Sequence, residues 1–160
     1  MTLDEPVLLD IFVYGTLKRG QRNHERFCGG ALATREATVR GWLYELPYGY
    51  PALVVPEEEV WVTGTRDYLS DAQEQHRATP RSEASSLRPT VYGEVLTFDD
   101  TAERLPLIDG LEGFRPGEES LYERVLVPAT LLNTSTVVMV WTYAVESAVG
   151  LYLPPGRWPP

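Results

Sequence analysis

A chain of 160 residues with 43% hydrophobic side chains is long and apolar enough for one globular domain with a core. Its formal charge of −9 disfavours nucleic acid as a partner, because binding to phosphates needs clustered lysine and arginine. The single cysteine, Cys28, excludes an internal disulfide. One cysteine and two histidines are too few, and not suitably spaced, to provide the ligands of a zinc site. The sequence therefore predicts no metal site and no cofactor.

The N-terminal residues 1–6 are acidic, whereas a secretory signal begins with basic residues. No apolar run approaches the ~20 residues that cross a bilayer. We therefore expect a cytoplasmic protein without a membrane partner. The sequence leaves its oligomeric state open.

The first predicted element is a core strand over residues 8–14, rich in β-branched and aromatic side chains. Gly15 then permits backbone angles that are closed to other residues, so the chain can turn sharply. Such a turn presents the N–H groups of Gly15, Thr16 and Leu17 to an anion or a carbonyl oxygen. A strand that ends in a glycine turn is common in proteins, so the spacing alone favours a purely structural turn over a binding loop.

Further elements follow from alternation of apolar residues and from turn and capping residues. The sequence predicts a helical turn at 23–28, a helix that ends near Leu111, and strands at 38–46, 52–55, 91–98, 122–129 and 136–144. Strands outnumber helices and do not alternate with them. The predicted fold class is therefore α+β, a mixed β-sheet curled into a barrel with few short helices.

Residues 56–90 are markedly more polar than the chain around them. We interpret residues 1–160 as a single domain with a polar insertion at about 56–90. The apolar anchors are limited to 60–62 and 68–69, so we expect much of this segment to be mobile and less protected than the core. The sequence does not indicate whether this segment is a lid, an oligomer contact or neither.

The carboxylate of Glu112 lies between apolar Leu111 and Phe114 at the predicted helix end, beside a glycine. Acidic residues at helix ends are usually solvated, and a surface role is the simpler reading of this residue. In a partly desolvated setting, however, the pKa of a carboxyl rises and the group becomes a better base near neutrality. In the same helix, Asp100 offers capping chemistry, and Pro106 suits a first turn better than an interior one.

The chain resembles the gamma-glutamylcyclotransferase-like family in three passages. These are residues 12–17 (Phe-Val-Tyr-Gly-Thr-Leu) with Gly20 and Asn23-His24 after them, the stretch Gly41 to Val54, and Asp109-x-x-Glu112-Gly113 followed by Tyr122. One departure is Ile108, where the family pattern has leucine. The resemblance covers most of residues 11–55 and 91–144 and supports the barrel.

The resemblance implies a cofactor-free enzyme that releases an amine or amino acid from a small gamma-glutamyl amide, with formation of 5-oxoproline. It implies that Glu112 is the catalytic acid/base and that the backbone of Gly15, Thr16 and Leu17 holds the glutamyl group. Tyr14 and Tyr122 would wall the pocket, while Asp109 would cap or orient the site.

Two alternatives remain open at this point. The fold can serve as a non-catalytic small-molecule-binding or interaction module. The same chemistry can also act on a larger gamma-glutamyl-acylated metabolite, for which residues 56–90 would shape the leaving-group site.

Overall fold

The computed structural model describes residues 7–80, 89–147 and 150–160. In chain order the elements are β1 (Leu9–Val13), α1 (His24–Cys28), β2 (Ala33–Arg40), β3 (Trp42–Glu45), β4 (Pro51–Val54), a 3₁₀ turn (Glu57–Glu59), β5 (Val62–Thr63), α2 (Tyr68–Arg77), β6 (Thr90–Phe98), α3 (Thr101–Glu112), β7 (Glu123–Leu131), β8 (Val137–Ala144) and β9 (Leu151–Tyr152). Among the described helices, none is long and apolar enough to span a membrane.

Five strands close into a barrel in the order β2-β6-β1-β8-β7, and β7 pairs back to β2 with Ala37 opposite Leu131. The neighbours β1 and β8 run parallel, with Ile11 opposite Trp141, while the other barrel pairs are antiparallel. The short β5 adds to β7, and β4, β3 and β9 form a second sheet. The predicted α+β fold with a mixed barrel and short helices is confirmed.

The two faces of the barrel wall are both buried, because alternate side chains of a strand point to opposite faces. Phe12 of β1 and Tyr14, directly after β1, belong to the core inside the barrel, together with Val39, Val95, Val127 and Val140. Ile11 and Val13 belong to a second core between the barrel and the helices, which includes Cys28, Ala72, Leu105, Ile108 and Trp141. The predicted core strand at 8–14 is therefore covered on both sides.

The predicted strand 38–46 is divided at Gly41 into β2 and β3, which belong to different sheets. The predicted hairpin is present: β7 pairs with β8, and Ser135 in the turn has a positive φ of 60°. The helix α3 is longer than predicted, so that Pro106 lies in its interior. Asp100 makes no side-chain cap and pairs instead with Arg104 at 3.0 Å.

Helix α2 lies where the sequence indicated a weakly anchored polar segment. Its buried side chains include Asp71 and Gln75. Gln75 Nε2 donates a hydrogen bond to Asp10 Oδ2 at 3.0 Å, and Gln75 Oε1 accepts one from the backbone N–H of Asp10 at 2.8 Å. Asp71 accepts a hydrogen bond from Arg124 at 2.9 Å. Polar pairs dock this helix, and a search for apolar periodicity does not detect them. The expectation for residues 81–88 lies outside the described residues.

Candidate active site

A cavity of about 330 Å³ opens where β1 ends. It is lined by residues 12–17 from β1 and the following loop, by Asn23, by Tyr50 and Pro51, by residues 111–113 at the end of α3, and by Leu121, Tyr122 and Tyr143. The residues assigned to catalysis or substrate binding from the sequence all lie in this lining, whereas Asp109 does not. The structure therefore brings the glycine loop and Glu112 to one place, although they are almost 100 positions apart in the sequence.

The loop after β1 is held in place by its own hydrogen bonds. The N–H of Lys18 donates to the carbonyl of Gly15 at 3.1 Å, and that of Asn23 donates to the carbonyl of Thr16 at 3.0 Å. The Asn23 side chain also donates to Thr16 Oγ1 at 2.9 Å. Within the described residues, no acceptor receives a hydrogen bond from the N–H groups of Gly15, Thr16 and Leu17. The loop thus offers backbone donors that suit an oxyanion or a carboxylate.

Gly15 is required for a reason other than the one the sequence suggested. Its φ is not in the left-handed region, so the explanation by special backbone angles is wrong. Instead, a Cβ at this position would lie 2.6 Å from Cγ of Pro51. The absence of a side chain lets the loop pack directly against the proline ring.

Glu112 is half-buried and lines the cavity. In the described part of the chain, its carboxyl group has neither a hydrogen-bond donor nor an ion-pair partner. Burial, together with the negative charge of Asp109, raises the pKa of Glu112 to about 7. A carboxyl with this pKa gains and loses a proton readily near neutral pH.

Asp109, one turn earlier on α3, is fully engaged. Its carboxylate accepts hydrogen bonds from Arg124 Nε at 2.9 Å and Nη2 at 3.1 Å, and from the hydroxyl of Tyr143. Arg124 is completely buried and also binds Asp71 of α2 and the carbonyl of Thr65. This arginine ties α2 and α3 to β7, which positions the end of α3 and therefore Glu112.

Three tyrosines form much of the buried wall. Tyr14 donates its hydroxyl hydrogen to the carbonyl of Tyr143 at 2.6 Å, and Tyr122 donates to the carbonyl of Pro51 at 2.8 Å. Burial raises the pKa of Tyr14, Tyr122 and Tyr143 above the ordinary value, so all three are neutral at physiological pH. They shape the cavity and present no negative charge to a ligand.

Sequence reasoning assigned no role in the site to several lining residues, among them Asn23, Tyr50, Pro51, Leu121 and Tyr143. Asn23 and Tyr50 lie in the passages that carry the family resemblance, so a role could have been assigned to them there. Pro51 lies in the same passage as Tyr50, whereas Tyr143 reaches the site only through the packing of β8, and no local signal marks it.

The charged residues near the loop lie mainly outside the cavity. Among the described residues that line the cavity, Glu112 is the one with a carboxyl group. None of these lining residues is a lysine or an arginine. Arg19 forms an ion pair with Glu94 at 3.2 Å, and neither residue lines the cavity. In the described ranges, no group of three or more His, Cys, Asp or Glu side chains could hold a metal ion.

The cavity combines backbone donors with an unpaired carboxyl among the described residues, an arrangement whose chemistry suits proton transfer on a small molecule. The chain belongs to the family described as Gamma-glutamyl cyclotransferase, AIG2-like, whose model matches residues 11–79 and 82–159. The resemblance seen in the sequence is thereby confirmed.

One curated relative is the Gamma-L-glutamyl-butirosin B gamma-glutamyl cyclotransferase of Niallia circulans, with 37% identity over 51 residues. These residues are 32% of this chain and 33% of the relative, so the match spans about one third of each protein.

Solved structures support the fold. An uncharacterised protein from Pyrococcus horikoshii has a TM-score of 0.56 at 17% identity and covers 94% of this chain and 89% of its own. An AIG2-like protein from Mus musculus has a TM-score of 0.55 at 23% identity, with coverage of 88% and 80%. An Arabidopsis thaliana protein has a TM-score of 0.56 at 23% identity, with coverage of 99% and 73%. At these identities the likeness establishes the fold and not the substrate.

Proposed function

We propose that this protein is a gamma-glutamyl cyclotransferase that releases an amine from a gamma-glutamyl amide and forms 5-oxoproline, with Glu112 as general acid/base. The observation that carries the proposal is the unpaired Glu112 carboxyl, with a pKa of about 7, in the same cavity as three free backbone donors. Membership of the family supports the reaction class.

In this reaction the substrate supplies its own nucleophile. The α-amino nitrogen attacks the γ-carbonyl carbon, a new C–N bond closes a five-membered ring, and the original amide C–N bond breaks. The α-ammonium loses two protons in the net reaction and the leaving nitrogen gains two, so no external acid or base is consumed. The protein must hold the folded-back substrate, transfer protons and stabilise the developing oxyanion.

The lining residues divide these tasks. Glu112 accepts a proton from the α-nitrogen and delivers one to the leaving nitrogen, which a pKa near neutrality favours in both directions. The N–H groups of Gly15, Thr16 and Leu17 bind the glutamyl carboxylate or the carbonyl oxygen. The rings of Tyr14 and Tyr122 hold the glutamyl chain in its folded pose. Asp109, whose oxygens are occupied by Arg124 and Tyr143, orients the helix end and does not react.

The test is release of 5-oxoproline from a panel of L-gamma-glutamyl dipeptides, gamma-glutamyl-lysine and gamma-glutamyl alkylamides. The D-gamma-glutamyl forms serve as matched controls, because their α-amine cannot reach the same position. Stereospecific release supports the proposal. Stabilisation of the protein by the panel without any product would instead identify a binding module.

A larger gamma-glutamyl-acylated metabolite is the second candidate substrate. It is favoured by the curated relative, which is named for its action on gamma-glutamyl-butirosin B. A gamma-glutamyl-acylated aminoglycoside therefore belongs in the same panel, and faster release from it than from all small amides would assign the larger substrate class.

A further inference from the structure

Residues 153–160, called the tail below, form no helix or strand, yet they carry a buried tryptophan. Trp158 is 7% exposed and belongs to the core inside the barrel, whereas its neighbour Arg157 is exposed. The tail is fixed to β6, because the N–H of Tyr92 donates to the carbonyl of Gly156 at 2.8 Å. The guanidinium carbon of Arg157 also lies 3.8 Å from the centre of the Tyr92 ring. The tail is therefore a docked segment that inserts one large side chain into the barrel.

The docking of the tail depends on Gly156. Its φ is 70°, a left-handed conformation that residues with a side chain rarely adopt. A Cβ at this position would also lie 2.1 Å from the carbonyl oxygen of Thr90, where β6 begins. Only glycine lets the backbone approach β6 closely enough to bring Trp158 to its place in the core.

The polar groups of Trp158 contact two segments that carry lining residues of the cavity. Its backbone carbonyl accepts a hydrogen bond from Nζ of Lys18, which directly follows Leu17 in the glycine loop. Its indole N–H donates to Oε1 of Glu45 at 3.0 Å. Glu45 of β3 lies directly opposite Pro51 of β4. Trp158 thus connects the glycine loop to the strand pair that carries Pro51.

The indole ring also lies behind the glycine loop. A Cβ at Gly15 would point towards Pro51 and would lie 4.0 Å from Cε3 of Trp158. The other end of the loop is anchored by the buried side chain of Leu17. Neither Trp158 nor Lys18 is among the described residues that line the cavity. Trp158 therefore supports the start of the loop from outside the cavity, without contact to what the cavity holds.

We propose that Trp158 is a positioning residue of the active site, which fixes the N–H groups of Gly15 and Thr16 in the geometry that binds the glutamyl group. This inference rests on the function proposed above and adds a residue of the tail to it. A misplacement of about 1 Å in a site of this kind lowers the rate by about 10²-fold. Loss of the indole ring should therefore impair the reaction although Glu112 is untouched.

Three variants of the tail test this role with the most active amide of the panel. Trp158→Ala should lower kcat/KM by about tenfold or more. Trp158→Phe keeps an aromatic ring behind Gly15 and should recover most of that loss. Leu153→Ala is the matched control, because Leu153 is buried in the same tail and core but its N–H donates to Leu43 of β3 and not to the loop. It should lower the melting temperature without a change in kcat/KM.

The pH profile separates positioning from a general loosening of the site. If Trp158 acts on the loop alone, the apparent pKa of kcat/KM in Trp158→Ala should remain at about 7, as set by the burial of Glu112. A cavity that opens to water would instead move this pKa towards the ordinary value of 4.5.

Lys18→Met keeps the inference testable if Trp158→Ala does not fold. It removes the hydrogen bond to the carbonyl of Trp158 and leaves the core intact, so kcat/KM should fall in the same direction but by less. Arg26→Met removes one positive charge from α1 and leaves the contacts of the tail in place. It controls for the lost charge and should behave as wild type.

Each outcome decides one question. Wild-type kcat/KM in a folded Trp158→Ala protein, an equal loss in Leu153→Ala, or an apparent pKa that moves towards 4.5 overturns this inference and leaves the cyclotransferase function standing. If Trp158→Ala does not fold, unchanged kcat/KM in Lys18→Met overturns it in the same way. Absence of 5-oxoproline from the wild-type protein with every amide of the panel overturns the proposed function and this inference with it.

Discussion

Asp109 and Glu112 lie three residues apart at the end of α3, and their carboxyl groups have opposite surroundings. Asp109 is 3% exposed and is bound by Arg124 and Tyr143, whereas Glu112 faces the cavity without a partner among the described residues. The ionised Asp109 adds to the effect of burial and raises the pKa of Glu112. One acid thus anchors the helix end and the other is available for proton transfer.

The first prediction concerns Glu112→Gln. Glutamine keeps the shape of the side chain but cannot accept a proton, so kcat should fall by about 10²–10⁴-fold while the fold and ligand affinity remain. The measurement is 5-oxoproline release together with ligand binding by calorimetry. Glu103→Gln, an exposed position on the same helix, is the control and should behave as wild type. Residual activity above about a tenth would place the base elsewhere.

The second prediction is the pH dependence of kcat/KM. Glu112 must be deprotonated in the free enzyme to act as a base, so kcat/KM should rise with pH and level off above an apparent pKa of about 7. An exposed glutamate would give this rise near pH 4.5 instead. A profile that is flat from pH 5.5 to 8 would contradict the assignment.

The third prediction links the same pKa to stability. A carboxyl whose pKa is raised from 4.5 to about 7 on folding stabilises the protein when protonated, and this stabilisation is lost as pH rises through about 7. Glutamine at position 112 does not ionise, so the variant does not lose this stability as the pH rises. The Glu112→Gln protein should therefore gain stability relative to wild type between pH 4.5 and pH 8, by at most about 3 kcal/mol. Denaturant unfolding of both proteins at pH 4.5 and at pH 8 measures this gain. An equal difference in the free energy of unfolding between the two proteins at both pH values would contradict the prediction.

The fourth prediction concerns Arg124→Met. Removal of this buried cation leaves Asp71 and Asp109 buried without their partner, so the free energy of unfolding should fall by about 3–5 kcal/mol. Amide exchange should show the largest loss of protection in α2. Arg66→Met breaks the exposed pair with Glu118 and should cost less than about 1 kcal/mol. Equal effects of the two variants would exclude an anchoring role for Arg124.

The fifth prediction compares two glycines. Gly15→Ala introduces a Cβ that collides with Pro51, whose carbonyl accepts the Tyr122 hydrogen bond, so ligand affinity should fall sharply. Gly110→Ala, in α3, adds a Cβ that meets no described atom within 4 Å apart from its chain neighbours and the backbone of its own helix, and it should instead stabilise the protein by up to about 1 kcal/mol. Calorimetric binding and thermal unfolding of both variants are the measurements. Unchanged affinity in Gly15→Ala would remove the loop from the binding site.

Local features of the sequence were sufficient for several elements of the fold. The apolar run at 8–14 predicts a buried strand, and the glycine after Glu112 predicts the helix end that the structure has, with Gly113 at φ 72°. These predictions succeed because backbone propensity, side-chain alternation and capping act over a few neighbouring residues. The motifs around Gly15 and Glu112 were recognised instead by their resemblance to a known family, because local features alone favour a structural turn and a surface acid at these positions.

The tertiary structure alone decided how these motifs are joined and supported. Helix α2 is docked by Arg124, which is 53 positions from Asp71, and Gly15 is required because Pro51 packs on it. Tyr143 of β8 also lines the site, and no local sequence motif predicts this position. Contacts of this kind depend on the closure of the barrel, which brings distant strands together. The pKa of Glu112 is raised mainly by burial in the finished cavity, with a smaller contribution from the charge of Asp109 on the same helix.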